Sequence, residues 1–413
     1  MKHLKPVVLA VFALAVSALL VLSGCSSSAP TPAATSAPAA KSAPAATSAP
    51  AAGAAAAAPA AAGKAIAIKI GLSAPLSGEV KTFGESTKNA FDMAVDEATK
   101  AGKVNITAVV VDDKGDPTEG VNGATKLINQ DKVQAIMGSV TSKVTIPVSE
   151  VAQANKVVMI TSTSTNPKVT VDGKRKDFIF RACFIDPFQG TVMAKFAATT
   201  LKAKTAAVVY DISNDYTKGL SEFFRDAFEK GGGKVVQFDS YGAQDVDFSA
   251  ILTKTASLNP DVLFIPDYYN KVNLLANQAR EKGVKAPLLG GDGWDSPELD
   301  TKAVEGGYFS NHYSPEDTRP EVQDWVNKYK AKYNVVPDAL ATLGYDATNL
   351  LINAVVTAGS ADSTKIRDAM AATKGFKAVT GSITFDQNGD PVKSAVVIQI
   401  KDGKQKFAEA VNP

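Results

Sequence analysis

The sequence from Ile66 onward alternates short runs rich in β-branched residues with longer amphipathic stretches. This alternation predicts a parallel sheet covered by helices on both faces. Strands before about residue 182 form one series, and strands from about residue 206 to 290 form another of similar size. The nine predicted strands cover residues 66–72, 106–111, 135–137, 157–160, 178–181, 206–210, 234–238, 262–265 and 287–289. The sequence therefore predicts an α/β fold of two Rossmann-like lobes, each with a parallel-type central sheet.

Helices are predicted between these strands and after them, on the basis of apolar residues that recur on one helix face. They cover residues 83–99, 270–282, 321–333 and 339–358. Near the end of the chain, Asp386-Gln387-Asn388-Gly389 is a turn signal. It predicts a terminal hairpin between residues 383–385 and 396–401.

The N-terminus has the features of an export signal. Two lysines precede an apolar or small-residue run over residues 7–22, which is short for a membrane-spanning helix but suits a signal-peptide core. The run ends in Leu22-Ser23-Gly24-Cys25, which resembles the lipobox of bacterial lipoproteins. This resemblance implies that residues 1–24 are removed and that Cys25 becomes a lipidated N-terminus. The alternative is an ordinary secretory signal with an incidental cysteine.

A segment of low complexity follows. Residues 26–63 contain only Ala, Pro, Ser, Thr, Gly and one Lys. Because the segment has no large apolar residue to bury, we expect it to stay unfolded and to span roughly 35 Å on average. Residues 25–64 are therefore predicted to be a disordered tether between a membrane and the folded part of the chain.

The counts of reactive residues exclude several classes of function. Of the two histidines, His3 lies in the predicted signal peptide, so a His-rich metal site is excluded and a catalytic triad would need His312. Cys25 and Cys183 form no C-x-x-C motif. The 44 Lys plus Arg exceed the 42 Asp plus Glu only by the two lysines of the signal peptide, which gives no electrostatic reason to expect nucleic acid. We expect no metal, no cofactor and no enzymatic activity.

Polar loops follow several predicted strands, at the sheet edge where ligands of open α/β folds bind. Residues 139–142 and 161–167 are rich in Ser and Thr, whose hydroxyls could hold a carboxylate together with free N–H groups at helix starts. Asp292 lies in a Gly-rich bend, where it could receive an ammonium group. The alternatives are helix capping for the hydroxyls and an ordinary turn for the aspartate. Aromatic residues that could wall an apolar pocket, or simply occupy core or surface positions, are Phe83, Tyr216, Tyr268 and Trp294.

A series of motifs runs through residues 66–412. They are Ile70-Gly71-Leu72-Ser73-Ala74-Pro75-Leu76-Ser77-Gly78, Phe83-Gly84, Asp112-Asp113 with Asp116-Pro117, residues 138–147 and 159–167, Phe180-Arg181 with Asp186 and Gln189-Gly190, Asp211 with Asp215-Tyr216-Thr217-Lys218-Gly219, Gln278-Ala279-Arg280, residues 290–293, Gly344-Tyr345-Asp346-Ala347, and Thr384-Phe385-Asp386-Gln387-Asn388-Gly389. In this order and spacing they resemble the substrate-binding proteins of branched-chain amino acid ABC transporters, the periplasmic leucine/isoleucine/valine-binding family.

The resemblance implies a type I periplasmic binding protein clamshell that holds an amino acid, branched-chain or otherwise apolar, between its lobes. The α-carboxylate of the ligand would be bound by Ser142 and Thr165, with the backbone of Val140 and Thr163. Asp292 would bind the α-ammonium, at a position where the best-studied members carry Glu. The aromatic residues around the ligand would be Phe83, Tyr216 and Tyr268, to which we add Trp294 because it lies two residues from Asp292.

The resemblance also implies a three-crossover hinge near residues 183–185, 309–311 and 381–383. The N-terminal lobe would then consist of residues 66–184 plus 311–382, and the C-terminal lobe of residues 185–310 plus 383–412. The closed protein would deliver its ligand to an ABC permease in the membrane. We expect a monomer in the cell envelope, lipid-anchored and facing the periplasm or the cell exterior.

Other functions stay open on the same fold. The protein could bind an amide or another small solute, or it could be a sensor that presents its closed state to a signalling receptor. Asp292 favours a ligand with an ammonium group over a neutral amide. A nucleotide-dependent oxidoreductase is disfavoured, because Gly71-Leu72-Ser73-Ala74-Pro75 stands where a G-x-G-x-x-G motif would follow the first strand.

Overall fold

The computed structural model describes residues 65–413. The predicted signal peptide (1–24), the predicted lipidation site Cys25 and the predicted tether (25–64) lie outside the described residues. The strands of the described part are β1 (Ile66–Ala74), β2 (Val104–Asp112), β3 (Ala135–Met137), β4 (Val158–Thr161), β5 (Val171–Asp172), β6 (Lys174–Arg175), β7 (Ile179–Arg181), β8 (Thr205–Asp211), β9 (Lys234–Tyr241), β10 (Val262–Phe264), β11 (Leu288–Gly290), β12 (Tyr308–Asn311), β13 (Phe376–Ala378), β14 (Gly381–Ile383), β15 (Ala395–Lys401) and β16 (Lys404–Val411).

The helices lie between these strands. They are α1 (Lys81–Lys100), α2 (Pro117–Asn129), α3 (Ser142–Ala154), α4 (Asp186–Thr199), α5 (Asp215–Lys230), α6 (Ser249–Leu258), α7 (Tyr269–Glu281), α8 (Pro320–Tyr333), α9 (Ala339–Ala358) and α10 (Ser363–Ala371), with single 3₁₀ turns at Pro167–Val169 and Asp292–Trp294. All nine strands and four helices that the sequence predicts are present, with ends shifted by three residues at most.

A five-stranded parallel sheet forms the centre of the first lobe. Its strand order is β2-β1-β3-β4-β7, and each neighbouring pair is parallel. The short strands β3 and β4 are buried along their whole length, as expected of central strands covered on both faces. We call the part of the chain built on this sheet the first lobe.

A seven-stranded sheet forms the centre of the second lobe, in the order β16-β15-β12-β11-β10-β8-β9. The strands from β8 to β12 are parallel, whereas β15 and β16 add an antiparallel edge. The prediction of an α/β fold with two parallel-type central sheets is therefore confirmed.

The chain passes three times between the lobes. It leaves the first sheet after β7 and continues into α4, which packs against α5 of the second lobe. It leaves the second sheet after β12 and continues into α8 and α9, and α9 packs against α1 of the first lobe. It returns after β14 to β15 at the antiparallel edge of the second sheet.

The predicted terminal hairpin is wrong in its partners. The turn at residues 386–389 closes only an isolated bridge between Phe385 and Pro391. The partner of β15 is β16, and the two-residue loop between them is Asp402-Gly403, with φ of 54° and 67°. Positive φ at both loop residues is the geometry of the two-residue turns that connect the strands of β-hairpins. The Asp402-Gly403 pair, and not the turn at residues 386–389, therefore forms the terminal hairpin.

Helix α9 forms part of the core of the first lobe. Among the described residues it alone is long and apolar enough to cross a membrane by length and composition, and most of it is buried inside the protein. The Asp338 side chain caps its first turn by accepting from the N–H of Ala341 at 2.7 Å. Its apolar character is therefore explained by packing, and the cap fixes where the helix begins, next to the cleft.

Candidate functional site

A cavity lies between the two lobes, beside the carboxyl ends of β3, β4, β10 and β11. About 270 Å³ there is free of protein atoms, a figure that includes space open to solvent. The lining residues come from both lobes and are Phe83, Val140, Thr141, Ser142, Thr163, Tyr216, Tyr268, Asp292, Gly293 and Leu340.

Hydroxyl groups and the start of a helix form the wall of the first lobe. Val140 and Thr141 follow β3, and Ser142 is the first residue of α3. Thr163, which follows β4, donates from its Oγ1 to the carbonyl oxygen of Val140 at 2.8 Å and so joins the two loops. Ser142 Oγ accepts from the N–H of Asn166 at 3.2 Å, which leaves its own proton to be donated. Because the first helical turn also has N–H groups without helical partners, this wall can bind a carboxylate.

A buried carboxylate dominates the wall of the second lobe. Asp292 is only 8% exposed and begins the 3₁₀ turn after β11. Its Oδ1 accepts from Gln189 Nε2 at 2.7 Å and from the Tyr216 hydroxyl at 2.9 Å. Its Oδ2 lies 3.0 Å from His312 Nε2. Amide and phenol donors stabilise the charge without cancelling it, so the wall keeps a negative group that faces the cavity.

The glycines around this carboxylate are required by close contacts. A Cβ atom on Gly291 would lie 2.5 Å from the Tyr216 hydroxyl and 3.1 Å from Gln189 Nε2. A Cβ atom on Gly293 would lie 2.8 Å from the carbonyl oxygen of Asp267. The Gly-rich sequence of the loop therefore lets the two donors reach the carboxylate.

Aromatic rings and one leucine close the cavity. The rings of Tyr216 and Tyr268 stack with centroids 5.1 Å apart and an angle of 4° between their planes. Phe83, near the start of α1 in the first lobe, meets Tyr268 edge to face at 5.6 Å. Leu340, near the start of α9, adds an aliphatic surface from the first lobe. The apolar part of the wall is therefore shared between the lobes, as the hydrogen-bonding part is.

Burial sets the protonation of the groups around the cavity. It raises the pKa of Tyr216 and Tyr268 well above the usual value of 10, so both phenols stay neutral. It lowers the pKa of His312 below 6.5, against the opposing effect of Asp292. It raises the pKa of Asp186, at the start of α4, well above 3.8. Among these groups burial therefore favours uncharged forms.

The structure brings together seven of the residues that the sequence assigns to the ligand, all of them lining the cavity. They are Phe83, Val140, Ser142, Thr163, Tyr216, Tyr268 and Asp292. Thr165 is buried just outside the lining, and its backbone carbonyl accepts from the N–H of Asp186 at 3.0 Å.

Trp294 does not lie in the wall, contrary to the expectation from the sequence. Its side chain is fully buried, and its Nε1 donates to the carbonyl oxygen of Ile265 at 2.9 Å. The 3₁₀ turn that directs Asp292 toward the cavity places the residue two positions later in the core, where it packs near Phe309. A tryptophan with its N–H bonded and its ring packed in this way is a structural residue.

Several residues of the site have no local signal in the sequence that would assign them to it. Leu340 gives no local signal, because it is one of many apolar residues in α9. In the sequence, His312 stands out only as the histidine that a catalytic triad would need, and Gln189 only as part of a motif. Their positions beside Asp292 depend on contacts across 20 and 103 residues of sequence, which no local pattern reveals.

The two lobes touch on several sides of the cavity. The Asn166 side-chain amide donates to the carbonyl oxygen of Asp215 at 2.7 Å, and Thr82 Oγ1 lies 3.1 Å from Ser296 Oγ. Near the crossovers, Asp295 Oδ2 of the second lobe accepts from the N–H of Ala339 at 2.8 Å. The cleft is therefore closed around the cavity.

Comparisons with known proteins agree with this architecture. The Leu/Ile/Val-binding protein homolog 3 of Brucella melitensis is 34% identical over 78% of this chain and 88% of its own length. The crystal structure of a leucine binding protein, LivK of Thermotoga maritima, has a TM-score of 0.79 and 39% identity and covers 84% of this chain and 99% of its own. LivJ of Streptococcus pneumoniae, solved in complex with isoleucine, has a TM-score of 0.78 and 32% identity over 84% of this chain and 100% of its own.

A family model described as periplasmic binding protein matches residues 67–405. The family consists of solute-binding proteins of ABC transporters, which act outside the cytoplasm. With a match over most of its length, and with relatives above 30% identity, this chain belongs to the periplasmic binding protein family, in the group of the Leu/Ile/Val-binding proteins.

Proposed function

We propose that the protein captures a free amino acid with a small apolar side chain and delivers it to an ABC permease. The observation that carries this proposal is Asp292, a carboxylate 8% exposed that faces the cavity and is, among residues 65–413, the only charged group in its lining. A buried charge is costly unless an opposite charge meets it. The α-ammonium of an amino acid supplies that charge.

The opposite wall suits the other end of the ligand. Ser142 and the first turn of α3 offer hydroxyl and N–H donors to the α-carboxylate, next to Thr163 and the backbone of Val140. Thr165 lies just behind this wall, and we propose that it supports the carboxylate subsite through its backbone and hydroxyl. A zwitterion would therefore bridge the two lobes.

The remaining wall sets the class of side chain. Phe83, Tyr268 and Leu340 present apolar surface to the cavity, which suits an apolar side chain of the ligand. The relatives support this interpretation, because the names of two of them refer to leucine, isoleucine or valine, and LivJ was solved in complex with isoleucine. We therefore propose leucine, isoleucine and valine as the first ligands to test.

Ligand binding would act by shifting a population of open and closed forms. A ligand that contacts both lobes stabilises the closed form in proportion to the contacts that the open form lacks. We propose residues 66–184 plus 311–382 and residues 185–310 plus 383–412 as the two bodies that move, joined near residues 183–185, 309–311 and 381–383. The closed monomer would dock on the permease, and no bond of the ligand would be broken.

Isothermal titration calorimetry with the twenty amino acids and a set of small amides tests the proposal. We expect the tightest binding with leucine, isoleucine or valine, and no measurable binding with leucinamide, which lacks the carboxylate, or with 4-methylpentanoate, which lacks the ammonium group. Tighter binding of neutral amides than of any amino acid would contradict the proposal.

We also propose that the mature protein is a lipoprotein anchored through Cys25. Support comes from the basic start, the apolar run and the Leu-Ser-Gly-Cys sequence of residues 1–25. In cells that express the full chain, Cys25→Ala should move the protein from the membrane fraction to the soluble fraction. Cys183→Ala is the matched control, because Cys183 is buried and its pKa is raised to about 12 by burial. Membrane retention of the Cys25 variant would contradict this part of the proposal.

A further inference from the structure

His312 contacts the carboxylate to which the proposed function assigns the ligand's ammonium group. Its Nε2 lies 3.0 Å from Asp292 Oδ2, whereas the two other donors, from Gln189 and Tyr216, both reach Oδ1. Of the described side chains, the imidazole is therefore the one that fixes Oδ2. Without it, Oδ2 would have no hydrogen-bond donor among the described side chains, and the carboxylate would be held through Oδ1 alone.

The contact defines which nitrogen of the ring carries the proton. An ionised carboxylate only accepts hydrogen bonds, so Nε2 of His312 is the donor, and in a neutral ring Nδ1 then carries a lone pair. Nδ1 is buried and has no hydrogen-bond partner among residues 65–413. A protonated ring would leave an N–H group unpaired at that position, which is unfavourable in a buried site. The geometry therefore favours a neutral ring that donates from Nε2.

The ring is held by the crossovers between the lobes. It stacks on Phe184 with centroids 3.7 Å apart and an angle of 26° between the rings. Phe184 lies between β7 and α4, in the first passage of the chain between the lobes, and His312 follows β12, in the second passage. The imidazole is therefore fixed by the segments about which the lobes would move.

Asn311, the residue before His312, takes part in a second set of hydrogen bonds that reaches the first lobe. Asn311 Nδ2 donates to Asp295 Oδ2 at 2.8 Å, and the same oxygen accepts from the N–H of Ala339 at 2.8 Å. Ala339 begins α9 and precedes Leu340, which lines the cavity. Two adjacent residues of the second crossover thus hold two aspartates. His312 holds Asp292 at the cavity, and Asn311 holds Asp295 at the contact between the lobes.

We propose that His312 is a positioning residue for the ligand's ammonium group: it donates from Nε2 to Asp292, fixes the direction of that carboxylate toward the cavity and ties it to the crossover. This inference rests on the proposed function for the identity of the ligand. The assignment of the proton and of the hydrogen bond does not depend on it.

A comparison of two backgrounds tests the positioning role, with leucine as the probe. His312→Leu should lower the affinity for leucine about tenfold or more in the wild-type chain and less than about threefold in an Asp292→Asn background, because there the oriented charge is already lost. His312→Gln, whose amide can donate from a similar position, should restore most of the affinity. An equal loss in both backgrounds, or no rescue by Gln, would show that the ring only fills space.

Nitrogen NMR of the imidazole gives a second measurement that needs no amino acid. The sequence has two histidines, so the signal that disappears in His312→Gln is assigned at once. At pH 7 we expect a neutral ring with its proton on Nε2. A protonated ring, or a proton on Nδ1, would overturn the inference even if leucine binds, whereas failure of leucine to bind the wild-type chain would contradict the proposed function alone.

Discussion

The two walls of the cleft use different chemistry for the same purpose. The first lobe offers neutral donors, the hydroxyls of Thr141 and Ser142 and the start of α3, and several of these groups can replace one another. The second lobe offers one charge, Asp292, which is held by neutral donors from three separate elements. A wall built from many weak donors tolerates the loss of one, but a wall that depends on one charge does not.

The largest effect is therefore expected on the charged wall. Asp292→Ala should lower the affinity for leucine by about 2 kcal/mol or more, which is roughly thirtyfold, because it removes the partner of a buried ammonium group. Calorimetry measures the loss. Asp226→Ala on the exposed face of α5, where the Asp226 side chain is 66% exposed, is the control and should bind like the wild type. Equal affinities of the two variants would refute the role of Asp292.

A smaller effect is expected on the wall of neutral donors. Ser142→Ala should lower the affinity by about 1 kcal/mol, roughly fivefold, because the N–H groups of α3 and the neighbouring hydroxyls still bind the carboxylate. The same titration measures it. A loss larger than that of Asp292→Ala would reverse the comparison between the walls.

One contact between the lobes pairs like charges and should respond to pH. Asp338 of the first lobe and Asp295 of the second both accept from N–H groups in the first turn of α9. Burial, together with the charge of Asp295, raises the pKa of Asp338 to about 7 from its usual 3.8. Because the folded state binds this proton more tightly than the unfolded state, its contribution to stability is complete below about pH 4 and is lost as the pH rises through 7.

Asp338→Asn removes the titrating carboxyl group and with it this part of the pH dependence of stability. The melting temperature of the variant minus that of the wild type should therefore increase between pH 5 and pH 8. Any loss of stability from the altered helix cap is the same at both pH values and does not change this trend. Differential scanning calorimetry at both pH values measures it. Asp362→Asn, at the exposed cap of α10, is the control and should show a smaller change. A difference that stays constant or falls with pH would contradict the assignment.

The smallest effect is expected at an exposed contact between the lobes. Lys168 Nζ lies 3.1 Å from Asp215 Oδ1, with side chains 54% and 40% exposed. Exposed ion pairs contribute about 0–1 kcal/mol and are screened by salt. Lys168→Ala should therefore lower the affinity for leucine less than about threefold, and less still at high salt. Lys218→Ala, which removes a pair inside α5, is the control for lost surface charge.

The sequence predicts the position of the charged wall, because the residues that mark Asp292 are its neighbours in the chain. A strand of apolar residues, a run of glycines and an acidic residue within it predict a carboxylate at the end of a sheet, and Asp292 is there. The hydroxyl-rich loops after β3 and β4 were found in the same way. Adjacent strands end at the same edge, so residues that follow them meet in space.

Local signals of the same kind misplace Trp294 and the last hairpin. Nearness in sequence suggested that Trp294 shares the wall with Asp292, but the 3₁₀ turn points the two side chains in different directions. The turn signal at residues 386–389 was real but closes only one bridge, and Asp402-Gly403 supplies the hairpin. A local signal predicts where a chain turns, but the pairing energies over the whole sheet decide which strands pair with each other.

By itself, the sequence determined the alternation of strands and helices, the two series of strands and most residues of both walls. These features follow from hydrophobic periodicity and from residues that lie directly after strands. Only the tertiary structure decided that His312 and Gln189 support Asp292, that Leu340 closes the cavity, and that Asp295 reaches α9 across the cleft. Each of these contacts joins residues brought together by the passages of the chain between the lobes, and their energies exist only once both sheets have formed.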